Sequence, residues 1–263
     1  MKTQINNLAV YTTGDGENKA ILFVHGFPCD NTMWEKQINY LNGSYYCVSY
    51  DIRGLGKSIV GDGQFTIEQF VDDLESIVNK LKIKKPALCG LSMGGYISLR
   101  AVEKMQNKFS ALILCDTKSA ADTNEAKINR ANAIKRINSG DYNNFIKDFV
   151  TNCFAEEFKK KNKNEFEEII LRSQKSDPAG IKGCLLAMSA RTDTTSTLNK
   201  IKLPTLIICG SEDKLTPAEV MKAMAEQISG AQINIINGSG HMSPVEKPGE
   251  VNKAIETFLA KLN

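Results

Sequence analysis

Short apolar runs alternate with amphipathic stretches over most of this chain. Residues 8–13 alternate weakly and are followed by Gly14-Asp15-Gly16, which predicts an opening β-hairpin turning at those glycines. The runs from Ala20 to His25, Tyr45 to Tyr50, Ala87 to Cys89, Phe109 to Cys115 and Pro204 to Gly210 are nearly continuous in apolar residues. That is the pattern of strands covered on both faces. A further strand is predicted over 231–236. Between these runs the apolar positions fall at helical spacing. A short helix is predicted near Asn31, with Met33, Trp34, Ile38 and Leu41 on its inner side. Thr66 and Gln69 have the spacing of a capping box ahead of Phe70, Leu74, Ile77, Val78 and Leu81. Further helices are predicted from the Gly94 region to about Met105, from Pro217 to Ile228, and from Pro248 to Leu262, where proline suits the first helical position. Strands alternating with helices predict a doubly wound, mostly parallel sheet.

The rhythm changes between Asp116 and Leu203. This stretch is rich in Lys, Asn, Asp and Thr, and its apolar pairs (Ile134/Ile137, Phe145/Phe149, Ile169/Ile170) have helical rather than strand spacing. Ordinary crossover helices would explain the spacing. The length, about eighty residues between adjacent strands, favours a helical insertion over the strand ends. The expected division is a core of residues 1–117 and 198–263 with a helical cap of 118–197.

The chain has 263 residues, with 42% apolar and 24% charged positions, which are ordinary values for a globular protein. Its 33 basic and 30 acidic residues leave a net charge of only +3, so the balance gives no case for nucleic acid or an anionic membrane as partner. The longest basic run, Lys159 to Lys161 with Lys163, is followed at once by Glu165, Glu167 and Glu168 and reads as a solvated helix face. The start resembles no signal peptide, and no apolar stretch is long enough to span a bilayer. The seven cysteines form no C-x-x-C pair, and four of them lie inside strand-like runs. They read as small buried hydrophobes in a reducing, cytoplasmic setting rather than as metal ligands or disulfides.

One stretch carries chemistry. Gly90-Leu91-Ser92-Met93-Gly94 joins a predicted strand to a predicted helix. A side chain at the tip of so tight a turn forces strand and helix together, and only small residues two before and two after it leave room. The turn would lift the Ser92 hydroxyl clear of the sheet. A serine is a poor nucleophile without a base, and the chain offers two histidines. His25 ends a strand directly before Gly26 and reads as shaping a turn. His241 lies in a glycine-rich loop between the last strand and the last helix, at the edge of the sheet where ligands bind. Asp213, after a strand and before a helix, is placed to orient His241, with Glu212 and Asp116 as rivals. The backbone N–H groups of Phe27 and Met93 are placed to hold an oxyanion. With His241 as base, activity would rise with pH near the ordinary histidine range of about 6–7.

The order Ser92, Asp213, His241, together with His25-Gly26-Phe27-Pro28, the Asp51–Ser58 segment, the elbow, Gly210–Asp213 and Gly240-His241, resembles the α/β-hydrolase superfamily over essentially the whole chain. A shorter match, Ala190-Arg191-Thr192-Asp193 ahead of Ile201–Thr205, is similar to enol-lactonases and small carboxylesterases. The resemblance implies an eight-stranded sheet with one antiparallel strand, a helical cap after the sixth strand, and no cofactor or metal. It implies a small-molecule ester or lactone as substrate. Thioesters, carbon–carbon bonds of diketones, peracid formation and a receptor role are the alternatives the same machinery allows. Dehalogenases and epoxide hydrolases of this fold carry aspartate at the elbow, and Ser92 speaks against both.

Overall fold

The structure is a computed structural model and describes residues 1–262. Its eight strands are β1 (Lys2–Ile5), β2 (Leu8–Thr13), β3 (Ala20–Val24), β4 (Tyr46–Tyr50), β5 (Ala87–Leu91), β6 (Ala111–Cys115), β7 (Thr205–Gly210) and β8 (Gln232–Ile236). They form one sheet in the order β1-β2-β4-β3-β5-β6-β7-β8. All neighbours from β4 to β8 pair in parallel, and β2 alone runs against the rest. Every residue of β3, β5, β6 and β7 is buried, so helices must cover both faces.

The opening hairpin differs from the sequence expectation. It joins β1 to β2 through Asn6-Asn7, both with positive φ (50° and 62°), in a two-residue turn closed by the Ile5–Leu8 pair. Asparagine tolerates this left-handed conformation well enough to replace glycine there. Gly14–Gly16 instead leads to β3, which pairs with β4 and β5 rather than with β2.

The covering helices follow the predicted spacing. A 3₁₀ turn (Asn31–Trp34) runs into α1 (Glu35–Leu41). In α2 (Ile67–Lys80), the Thr66 hydroxyl accepts the Gln69 amide at 3.1 Å, and Phe70, Leu74, Ile77 and Val78 are buried. α3 (Met93–Met105) packs on α2. Between β6 and β7 come five helices, α4 (Asn124–Asn138), α5 (Tyr142–Cys153), α6 (Glu156–Lys161), α7 (Lys163–Ser173) and α8 (Pro178–Ser189), with no strand among them. α9 (Ala218–Gln227), the single turn α10 (Ser243–Glu246) and α11 (Pro248–Ala260) complete the chain, and α11 packs on α1. All seven cysteines are buried and unpaired. Among the described residues, no helix is long and apolar enough to cross a membrane.

Candidate active site

Ser92 lies between the last residue of β5 and the first of α3, half-buried, with φ 52° and ψ −113°. A non-glycine residue holds such a backbone only where its surroundings over-determine it. Here its N–H donates to Cys115 O (3.0 Å), and its carbonyl accepts from the Tyr96 amide (3.1 Å) and the Thr117 hydroxyl (2.8 Å). The flanking glycines have the expected steric cause. A Cβ on Gly94 would stand 2.2 Å from Val24 O, and one on Gly90 would stand 2.4 Å from Gly94 O.

His241 is buried, and its Nδ1 lies 2.8 Å from Asp213 Oδ2. Asp213 also accepts from the Leu215 amide (2.8 Å), the Thr216 amide (3.0 Å) and the Thr216 hydroxyl (2.5 Å). Burial alone would raise the Asp213 pKa. The charge and hydrogen bond of His241, with the Thr216 donors, outweigh it and hold the carboxyl down at about 2. Burial alone would lower the His241 pKa, but the Asp213 carboxylate overrides it and the imidazole sits above the ordinary range. Nδ1 is thus occupied, and Nε2 is the nitrogen without a protein partner among the described residues. Ser92 and His241 line one cavity of about 280 Å³, walled by Phe145 and Phe149 of α5 and Leu185 and Met188 of α8.

Phe27 lines that cavity, and Met93 follows Ser92 directly in the chain. Met93 N–H is at the first position of α3, where no intrahelical acceptor exists. Phe27 N–H lies in the loop after β3. Neither has a protein acceptor among the described residues, although both residues are buried. Buried amides without partners are rare enough to call for an explanation. The Phe27 ring meets Phe149 edge-on at 5.0 Å and forms part of the apolar wall.

The rival residues are committed elsewhere. His25 is fully buried, with Nδ1 on Gly26 O (2.9 Å) and Nε2 accepting the Ile52 amide (2.8 Å). Desolvation lowers its pKa, so it is a neutral brace with both nitrogens spent. Glu212 is exposed. Asp116 accepts from Ser243 Oγ (2.5 Å) and the Gly210 amide (2.8 Å) rather than from the imidazole. Burial, then repulsion from Asp213, raises its pKa to about 8.

Sequence reasoning missed Glu246. Its buried carboxylate accepts the Gly240 and Met242 amides on Oε1 (3.0 and 3.3 Å) and the Ala155 amide on Oε2 (3.0 Å). Together with the bond from the His241 amide to Cys153 O (2.8 Å), it fastens the histidine loop to the α5–α6 joint. The only signal was an acidic residue five places after His241 and two before Pro248, and spacing alone gave it no partner. A second cavity of about 270 Å³ lies beside the Pro28–Asp30 segment, lined in part by Cys29 and Arg172, and neither Ser92 nor His241 lines it. Among the described residues, no three His, Cys, Asp or Glu side chains are grouped to hold a metal ion.

The family model described as the alpha/beta hydrolase fold matches residues 19–248. The chain belongs to that family. As an alpha/beta hydrolase it is 28% identical over 259 residues to 3-oxoadipate enol-lactonase 1 of Acinetobacter baylyi, covering 98% of this chain and 95% of that one. It is 26% identical over 252 residues to 3-oxoadipate enol-lactonase 2 of the same organism, covering 96% and 92%. Among solved structures, a thermophilic esterase from Thermogutta terrifontis, with malate bound, superposes with a TM-score of 0.94 at 32% identity, covering 100% of this alpha/beta hydrolase and 99% of the esterase.

Proposed function

We propose that this alpha/beta hydrolase is a serine hydrolase that cleaves a carboxylic ester or lactone through an acyl-enzyme. Ser92 Oγ attacks the carbonyl carbon while His241 Nε2 takes its proton, and the Phe27 and Met93 amides hold the negative oxygen of the tetrahedral adduct. The adduct collapses with loss of the alkoxide, which receives the proton from His241. Water, deprotonated by the same nitrogen, attacks the acyl-Ser92 ester, and the acid departs as Ser92 regains its proton. Asp213 fixes the imidazole tautomer and stabilises the imidazolium. The residues from 118 to 197 act as the cap over this site, with 1–117 and 198–263 as the core. The unpaired, buried cysteines support a reducing, cytoplasmic address.

The observation that carries this reading is the Asp213–His241 pair, buried and 2.8 Å apart, beside a serine held at positive φ in the same cavity. The enol-lactonase and esterase names of the relatives support ester or lactone over the other bonds such a triad can break. Turnover of p-nitrophenyl butyrate by the purified protein, compared with Ser92→Ala, tests it. The reading requires a loss of about 10³-fold or more in the variant. Full turnover without Ser92 would remove the acyl-enzyme.

A further inference from the structure

The end of β6 touches all three loops that carry Ser92, Asp213 and His241. Cys115 O accepts the Ser92 amide (3.0 Å), and the Thr117 hydroxyl donates to Ser92 O (2.8 Å). Asp116, between them, faces the other two loops. Its Oδ1 accepts the amide of Gly210 (2.8 Å), three residues before Asp213. Its Oδ2 meets Ser243, two residues after His241, at the hydroxyl (2.5 Å) and at the amide (3.3 Å). That amide opens α10 and has no intrahelical acceptor of its own. The two loops press together at the same place, since a Cβ on Gly210 would stand 2.0 Å from Gly240 O.

Asp116 is fully buried and holds a positive φ of 45°. A residue other than glycine keeps such a backbone where its surroundings over-determine it. Here the Asp116 amide is fixed on Ile208 O (2.9 Å), and both carboxyl oxygens are bonded. With its pKa raised to about 8, the carboxyl is largely protonated at neutral pH. The proton lies on Oδ2, towards Ser243, because Oδ1 already takes the Gly210 amide. A neutral bridge puts no second anion beside Asp213. The other titratable groups around it are His241 and the neutral thiols of Cys115 and Cys209.

We infer that Asp116 is a positioning residue, whose carboxyl holds the Asp213 loop and the His241 loop at the separation that lets acid and imidazole bond at 2.8 Å. It does not line the catalytic cavity and acts only through the two loops. The inference rests on the Ser92–Asp213–His241 reading above. A displacement of the imidazole by about 1 Å is enough to cost on the order of 10²-fold in rate.

Asp116→Ala removes both arms of the bridge. With p-nitrophenyl butyrate, kcat should fall about 10–10²-fold while KM changes little. The downfield proton resonance of the imidazole Nδ1–H, held by Asp213, should shift or broaden while the far-ultraviolet circular dichroism stays that of the wild type. Asp116→Asn keeps an acceptor for Gly210 and turns an N–H towards Ser243 Oγ, so it should restore the resonance and most of kcat. Ser243→Ala removes one arm and should fall between. An unchanged resonance and kcat in both Asp116→Ala and Ser243→Ala, or an Asp116→Asn as impaired as Asp116→Ala, would overturn the inference. If Asp116→Ala does not fold, an unchanged Ser243→Ala overturns it alone. The resonance is read without substrate, so it decides the positioning role even if no ester is turned over, a result that would remove the ester reading instead.

Discussion

One oxygen of the Glu246 carboxylate accepts the Ala155 amide at 3.0 Å, and the other accepts the Gly240 amide at 3.0 Å. A single buried side chain therefore joins the α5–α6 segment to the loop that carries His241. Desolvation raises the pKa of this carboxyl, but the three amides that bond to it favour its charged form. Truncation in Glu246→Ala leaves those amides buried without acceptors, at about 1–3 kcal/mol each. The expected result is a lower Tm together with a kcat reduced at least tenfold. Glu246→Gln keeps an acceptor on one side and should fall between. Calorimetry and turnover measured on the same preparations check this.

Asp213→Asn should lower kcat by about 10³–10⁴-fold with the fold intact. The sign of the pH effect follows from the charge. The carboxylate favours imidazolium and raises the His241 pKa, so its removal moves the acid limb of kcat/KM to lower pH. In the wild type that limb should lie above the ordinary histidine value, because the Asp213 pairing outweighs burial. A pH–rate profile of both proteins reads the shift.

His25→Ala separates the two histidines. It removes the acceptor of the Ile52 amide and the donor to Gly26 O, so a loss of about 2–4 kcal/mol of stability is expected. Activity should fall with it, since Gly26 precedes the Phe27 amide. The acid limb of the remaining activity should not move, because His25 has no free nitrogen to titrate. Denaturant unfolding and a pH profile measure the two effects independently.

Asp116 should make stability fall as pH rises. Its pKa is about 8 in the fold and about 3.9 in an unfolded chain. Between those values the native state retains a proton that the unfolded state releases, so stability drops by on the order of 1 kcal/mol per pH unit. Above about 8 the loss is complete. Asp116→Asn should flatten this slope, and unfolding curves from pH 5 to 9 show the difference.

The core of the fold was legible because buried parallel strands need unbroken apolar runs, and β3, β5, β6 and β7 consist of them. β1 was not. Its Lys2-Thr3-Gln4-Ile5 stretch buries only Ile5, and its pairing depends on an Asn6-Asn7 turn that contains no glycine. The residues Ser92, Asp213 and His241 stood out because each sits at a strand end in a glycine-rich context. The rest of the site was hidden for physical reasons. The roles of Glu246 and His25 depend on which distant amides fold against them, and Ala155 is 91 residues from Glu246. The Asp122–Arg191 ion pair was equally unreadable, since its two partners are 69 residues apart.

The most direct test of the proposed chemistry is rapid mixing with excess p-nitrophenyl butyrate, followed by acid quench and peptide mass mapping. The account predicts a p-nitrophenol burst approaching one equivalent where deacylation is slow, with the butyryl group on the peptide containing Ser92 and absent from Ser92→Ala. Acylation mapped to another residue, or undiminished turnover by Ser92→Ala, would contradict it.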